Sequence, residues 1–513
     1  MNSDKSSVLY WVNFVLIFLF AFGFSRVTFV TLVMGKHFQE LAENNTIKRE
    51  KIKQLRGNIY DRNGKQLAIN IENEGRSVRH YPYGEISAGI LGYVGAIDEE
   101  SLKNCKGNCD GETEVGRMGL EMAYQQELGG TPGEKLVEEK ADGESRLQVI
   151  EHLGVEGKNI KTNIDIELQT RAFISLKEKL KETGKSGAVI ISKVNGEVLT
   201  LVSAPSFDNN LFINFGKRSD FGGDYKDVAS LLTEVEKKPL FNRAISGDFA
   251  PGSVFKLLPA IAGLEEKKIT EESSIVDTGE IKIGEYRFGN WYLDKYGKTE
   301  GEVSVVKAIS RSNDIFFYKL GEQLGADLLV SWSKKLGLGE LTGIDLTGEA
   351  KGLLPSPYWR EKTLGERWYL GNTYHFAIGQ GDLMTTPIQI NRMTSAIIGG
   401  KKCEPRVVGA GECKDLKISE QNRKIILKGM EAGCGPGGTA YPLFEYTGQI
   451  YCKTGTAQKG GVETVSNAWI SVVVPKGTNV DDWLVMTILV EEGGEGSSVA
   501  APIAKDIMPL LLK

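Results

Sequence analysis

Hydrophobic positions cluster unevenly along the chain, and the first cluster is the longest. Val8 to Ser25 carries no charge, and apolar character resumes after Arg26 as far as Met34. As a helix, the uncharged run spans about 27 Å, close to the hydrocarbon thickness of a bilayer. Arg26 then falls at an interface, where a long side chain can snorkel. This pattern predicts an uncleaved single-pass anchor over residues 8–34 behind a short tail, residues 1–7. A cleaved signal peptide is the alternative, but the run is long for an h-region and no small-x-small site follows it. Residues 35–55 are polar and helix-forming, and read as a juxtamembrane connector.

Later clusters have shorter periods. Gly187 to Ser203 is rich in Val, Ile and Leu, with a turn at Asn195-Gly196, which predicts a β-hairpin. Val462 to Val474 and Trp483 to Val490 read as late strands. In Ala250-Pro251-Gly252-Ser253-Val254-Phe255-Lys256-Leu257-Leu258, a turn signal precedes an apolar run, so a helix should open at Ser253. Pro259 falls inside that helix and predicts a kink or a distorted turn. Helix-like and strand-like stretches alternate irregularly, which suits an α+β fold better than a doubly wound sheet. No internal repeat stands out.

Composition adds limits. The 513 residues suffice for two or three domains, with an ordinary globular balance of 41% hydrophobic and 25% charged residues. A net charge of -5 gives no reason to expect a nucleic-acid partner. His37, His80, His152 and His375 are scattered singly, so no metal site and no cofactor is expected. The six cysteines fall at 105/109, 403/413 and 434/452. In an oxidising compartment these would form three local disulfides; reduced core cysteines are the alternative.

Candidate chemistry starts at Ser253. A serine needs a base within reach, and Lys256, one turn on, can serve if burial or a neighbouring cation lowers its pKa. Ser304/Lys307 and Ser331/Lys334 repeat the same spacing, so the pair alone is unspecific. What distinguishes Ser253 is the sequel: Ser312-Asn313-Asp314, then Lys453-Thr454-Gly455-Thr456, the one Lys-Thr-Gly in the chain. Three such motifs in this order are specific.

With these motifs the chain resembles the class B penicillin-binding proteins, membrane-anchored D,D-transpeptidases of the cell wall. Arg56-Gly57-Asn58-Ile59-Tyr60-Asp61-Arg62-Asn63-Gly64, Gly116-Arg117-Met118-Gly119-Leu120-Glu121, Gly379-Gln380-Gly381 with Thr386-Pro387, and Gly437-Gly438-Thr439-Ala440 add to the resemblance. It implies a penicillin-binding-protein/β-lactamase-like transpeptidase domain, an antiparallel sheet flanked by helices, over 162–513. A small, shortened pedestal of the non-catalytic, dimerisation-like kind would precede it over 56–161, after one transmembrane helix. A larger head subdomain would usually sit between Ala68 and Tyr81, which puts partner contacts made by such a head in doubt.

The same resemblance implies site roles. Ser253 would attack a stem peptide ending in D-Ala-D-Ala, with Lys256 as base, Ser312 as proton relay and Lys453 as second cation. Asp314, Thr454, Gly455 and Thr456 would bind substrate, Gly455 by letting its backbone approach the strand. The backbone N–H groups of Ser253 and Thr456 would form the oxyanion hole. Most relatives carry Asn where this chain has Asp314. Some elongation-type members have Asp, which favours a side-wall role. An ionised Asp314 raises both lysine pKa values, which is tolerable if Lys453 holds the carboxylate and leaves Lys256 the less favoured proton carrier. β-Lactams are expected ligands, and a multi-spanning glycosyltransferase is the expected partner, since the pre-catalytic region is too short for a glycosyltransferase domain. A β-lactam-sensing or β-lactam-hydrolysing relative, or an inactive scaffold, are the competing readings. No Glu-x-x-Leu-Asn of the class A β-lactamase kind is present.

Orientation carries a conflict. Lys5, offset by Asp4, precedes the anchor, whereas Lys36, Lys48, Arg49, Lys51 and Lys53 follow it, which points the bulk of the chain inward. That rule is weak for large translocated domains, and wall chemistry requires the outer face of the bacterial plasma membrane.

Overall fold

Period-two alternation in the late strands decides how the catalytic motifs are carried. The computed structural model describes residues 4–73, 76–103, 113–139, 145–183, 185–213, 222–458 and 465–513. Contacts divide the chain into two compact units, Met1–Leu55 with Gly129–Gly157, and Arg56–Leu128 with Lys158–Lys513. Cys105 and Cys109 lie outside the described residues.

The smaller unit holds the apolar stretch. Ser7–Val33, 27 residues, is helical and long and apolar enough to cross a membrane. A second helix, Gly35–Thr46, follows it. The rest of the expected connector is a strand, Ile47–Ile52, paired antiparallel with Gly133–Glu139, which pairs in turn with Ser145–His152. A charged edge strand of this kind gains its partner from more than eighty residues away, so local pattern alone does not reveal it.

The larger unit is built on a five-stranded antiparallel sheet. Its strands are β1 (Gly187–Lys193), β2 (Val198–Ala204), β3 (Tyr451–Ala457), β4 (Asn467–Val474) and β5 (Leu484–Val490), in the spatial order β2-β1-β5-β4-β3. The hairpin expected at Asn195-Gly196 is β1–β2. Along β5, Leu484, Met486, Ile488 and Val490 enter one core, while Val485 and Leu489 enter the other. The first core is closed by helices α1 (Ile166–Thr183) and α7 (Ala500–Leu511). The second is closed by α2 (Leu257–Glu265), α3 (Val305–Arg311), α4 (Asp314–Lys335), α5 (Pro387–Gly399) and α6 (Glu420–Cys434). The fold is therefore α+β, an antiparallel sheet flanked by helices, and β3 is one of its two edges.

The helix expected at Ser253 starts one turn later. Gly252–Lys256 is a 3₁₀ turn and α2 begins at Leu257. Pro259 thus sits in the first turn of α2, where its missing N–H leaves no hydrogen bond unmade.

Residues 56–128 and 158–161 add a small four-stranded sheet, in which Gln66–Asn73 and Arg76–His80 form a hairpin in the stretch where the resemblance implies a larger head. Its centre is ionic. Glu121, fully buried, takes Arg56 Nε at 2.5 Å and Arg79 Nε at 2.7 Å, and Tyr81 Oη donates to it at 3.2 Å. Burial pushes the Glu121 carboxyl up, but the two guanidiniums outweigh that and hold it below its ordinary value. The two early sequence matches are thereby one structural unit, Arg56 from the first bonded to Glu121 from the second. Its stabilisation is present above the unfolded carboxyl pKa and fades as pH falls through the lower folded value. Glu121→Gln, which leaves two buried guanidiniums uncompensated, is expected to cost on the order of 3–5 kcal/mol in denaturant unfolding. Arg117→Gln, which loses only the half-exposed pair with Asp98, should cost under about 1 kcal/mol.

Candidate active site

Ser253 is half-buried on the 3₁₀ turn and lines a cleft of about 820 Å³ together with Ser312, Asp314, Thr454, Gly455 and Thr456. The turn is pressed against β3. Gly252 has φ +55°, and a Cβ on it would lie 2.7 Å from Thr456 O. A Cβ on Gly455 would lie 3.1 Å from Val254 N. What Gly455 admits on this face is therefore the serine-bearing turn itself, a constraint beyond the substrate approach expected of it. Gly379 closes the turn from the other side, its carbonyl accepting from Gly252 N at 2.8 Å.

Lys256 and Lys453 are both buried, at 0% and 1% exposure. Lys453 faces the helices because β3 alternates, with Cys452 entering the opposite core. Lys453 Nζ donates to Ser312 Oγ at 2.9 Å and to Thr454 O at 3.0 Å. Lys256 Nζ donates to Ser312 O at 2.8 Å, to Ser312 Oγ at 3.4 Å and to Asp314 Oδ1 at 2.7 Å. None of these bonds reaches Ser253 Oγ.

Asp314 is thus held by Lys256, and the expected pairing with Lys453 is reversed. The reason is position: Asp314 opens α4 next to Lys256, while Lys453, coming from the strand, meets Ser312 Oγ and Thr454 O. Burial lowers the Lys256 pKa, and Asp314 offsets part of that. Burial also lowers Lys453, the charge on Lys256 lowers it further, and Asp314 restores less, so it stands well below the ordinary lysine value. Lys256 is the favoured proton carrier of the pair.

Ser312 joins two helices. It ends α3 in the left-handed region, φ +56°, and Asn313 caps α4 by accepting from Phe316 N at 2.9 Å. The capping geometry and the lysine contacts coexist, because the left-handed turn places both Ser312 oxygens against Lys256.

Some participants have no motif of their own. Trp291 N donates to Asp314 Oδ2 at 3.2 Å and Asp314 N donates to Asn290 Oδ1 at 3.1 Å. Thr454 Oγ1 donates to Thr439 Oγ1 at 2.7 Å, so Gly438-Thr439, noted only as a flanking match, is part of the cleft wall. The decoy serines are ordinary: Ser304 caps α3 by accepting from Lys307 N at 3.3 Å, and Ser331 with Lys334 lies exposed on α4.

The profile of the penicillin binding protein transpeptidase domain matches residues 186–509, and that of the penicillin-binding protein dimerisation domain matches 71–162. The chain belongs to the penicillin-binding protein transpeptidase family. A curated relative, peptidoglycan D,D-transpeptidase MrdA of Acinetobacter baumannii, is 33% identical over 75% of this chain and 57% of its own length. Across the first curated relatives the chain spans between 50% and 69% of their length. The crystal structure of Pseudomonas aeruginosa PBP2 in complex with WCK 5153 is 32% identical with a TM-score of 0.76, covering 91% of this chain and 97% of that one. A structure described as the structural coordination of polymerization and crosslinking by a peptidoglycan synthase complex is 27% identical with a TM-score of 0.78, covering 99% and 98%.

Two disulfides lie in the larger unit, one of them next to the site. Cys434–Cys452 ties the end of α6 to the residue before Lys453, and Cys403–Cys413 joins paired short strands. Cys434→Ala/Cys452→Ala is expected to lose roughly 3 kcal/mol, the scale for a closed loop of this size. A non-reducing peptide map showing free thiols at these four positions would contradict both bridges.

Proposed function

We propose that this chain is a membrane-anchored serine D,D-transpeptidase that cross-links peptidoglycan stem peptides. The observation that carries the proposal is Ser312 Oγ lying between both buried lysines beneath the cleft that exposes Ser253. Ser253 Oγ attacks the carbonyl between the two D-Ala residues, and its proton passes to Lys256. For that, Lys256 must first be neutral. Its proton can move to Ser312 Oγ while the hydroxyl gives its own proton to Lys453, a shift of charge without net loss. The same hydroxyl then returns a proton to the leaving D-Ala amine. The oxyanion forms against the backbone N–H groups of Ser253 and Thr456, each donor typically worth about 3 kcal/mol. The amine of a second stem peptide resolves the acyl-enzyme, and a β-lactam would acylate the same serine. Thr454, Thr456 and Lys453 offer donors to the terminal carboxylate.

In this reading 8–34 is a single-pass anchor in the plasma membrane, 56–161 a pedestal and 162–513 the transpeptidase domain, outside the cell. The two disulfides support the oxidising side. The synthase-complex relative, described as coordinating polymerization and crosslinking, supports a multi-spanning glycosyltransferase partner. Asp314 and the MrdA relatives support an elongation role.

Mass spectrometry after penicillin treatment is expected to find one adduct, on the peptide containing Ser253. An adduct at Ser304 or Ser331, or labelling that survives Ser253→Ala, would sink the assignment.

Because Asp314 raises both lysine pKa values, Asp314→Asn should lower the apparent pKa of the pair. Acylation rises with pH as the pair loses a proton, so its acid limb should move to lower pH. The maximum rate should stay within roughly tenfold, whereas Asp314→Ala should cost on the order of a hundredfold. Acylation rates of the two variants across pH decide this. If Asn is as damaging as Ala, the charge itself is required.

A further inference from the structure

Behind the Ser312-Asn313-Asp314 turn lies a second buried carboxylate that no motif contains. Asp277 is 3% exposed and ends the strand Ser274–Asp277, which pairs with Gly301–Ser304. Its Oδ1 accepts from Gly279 N at 2.7 Å. Its Oδ2 accepts from Asn290 Nδ2 at 2.9 Å, Asn313 Nδ2 at 3.0 Å and Glu300 N at 3.0 Å.

An ionised carboxylate only accepts, so each asparagine must turn its NH₂ toward Asp277 and its oxygen away. For Asn290 the oxygen then meets the backbone N–H of Asp314 at 3.1 Å. For Asn313 it meets Phe316 N at 2.9 Å and caps α4. The next residue after Asn290, Trp291, gives its N–H to the Asp314 carboxylate. Asp314 is therefore gripped at its backbone and at its side chain by a segment whose orientation Asp277 sets.

We propose that Asp277 is a positioning residue for acylation. Through the Asn290 and Asn313 amides it fixes where the Asp314 carboxylate meets Lys256. This rests on the transpeptidase reading given above and deepens it. Asp314 is the carboxylate bonded to the lysine pair, and the Phe317 ring lies 5.5 Å from Lys256 Nζ. The same cleft is lined by Arg287, Asp294, Lys295, Lys298, Arg311, His375 and Glu495. Around Asp277 the further charges are Glu300, which also accepts from Asn313, and Arg311, which neutralises Glu300 at 2.5 Å.

Asp277→Asn sets an NH₂ group or a single lone acceptor against donors that previously shared one carboxylate. Asn290 loses its reason to face one way, and Asp314 loosens from Lys256. Asn290→Ala does the same at one remove and changes no charge. Both variants are measured for acylation by a fluorescent penicillin across pH, with thermal unfolding alongside. Both should move the acid limb to lower pH by roughly one unit and slow acylation on the order of tenfold. In an Asp314→Asn background neither should move the limb further, since they act through Asp314.

Three results would overturn the proposal. One is a lower melting temperature with an unmoved pH profile. Another is a shift in Asp277→Asn but none in Asn290→Ala, which would mean that the charge of Asp277 acts through space. The third is full additivity with Asp314→Asn. Failure of the wild-type chain to acylate at Ser253 would instead defeat the underlying function.

Discussion

Two buried amines and one carboxylate at the wall of the cleft set the terms for the rest of the larger unit. Burying a lone ammonium is costly, and burying two against each other is worse. Lys256 keeps its proton because Asp314 Oδ1 and Ser312 O meet it at 2.7 and 2.8 Å. Among the described residues Lys453 has no carboxylate at bonding distance; its bonds go to a hydroxyl and a carbonyl. The arrangement is close to neutral when one amine is uncharged, and the shared contact with Ser312 Oγ gives the proton a route between them. A surface pair would be screened and its amines would stay protonated.

Holding that arrangement demands close backbone approach, which explains where the glycines fall. Three elements converge on the serine turn: β3 through Gly455, the turn itself through Gly252, and the segment after residue 378 through Gly379. A Cβ at any of these positions would come within about 3 Å of a neighbouring backbone atom or, for Gly379, 2.2 Å of Gly252 O. Ser312 contributes a different device. A left-handed serine carries a cost of roughly 1–2 kcal/mol, and here the left-handed turn lets one residue end α3, begin the approach to α4 and offer two oxygens to Lys256.

Much of this was legible before any coordinates, and the failures have physical causes. The long apolar helix near the start, the β1–β2 hairpin and the late strands announce themselves by uninterrupted or alternating apolar residues. The three motifs identify the cleft because each brings chemistry of its own. Ile47–Ile52 was missed as a strand because its pairing is long-range and its composition is charged. Pro259 predicts a kink or a distorted turn: Gly252–Lys256 is a 3₁₀ turn, and the proline sits in the first turn of an α2 that starts one turn later than expected. Asp277 and Asn290 carry no signal in a single sequence, since an Asp and an Asn thirteen residues apart are indistinguishable from turn residues until the fold brings them together.

The reversal at Asp314 shows where motif reading stops. The three motifs name the residues that share the cleft, but which lysine meets the carboxylate depends on helix geometry. Asp314 opens α4, with its N–H tied to Asn290 and its carboxylate drawn toward Trp291 N. From there it faces the turn that carries Lys256, whereas Lys453 comes from the sheet edge and meets Ser312 first. An uncharged amide at position 314 would accept from Lys256 in the same place but would exert less pull on its proton. The acidic residue therefore shifts the resting charge toward Lys256 and away from Lys453. Ser312 is the hydroxyl in contact with both amines, so a transfer of that charge between them has a route.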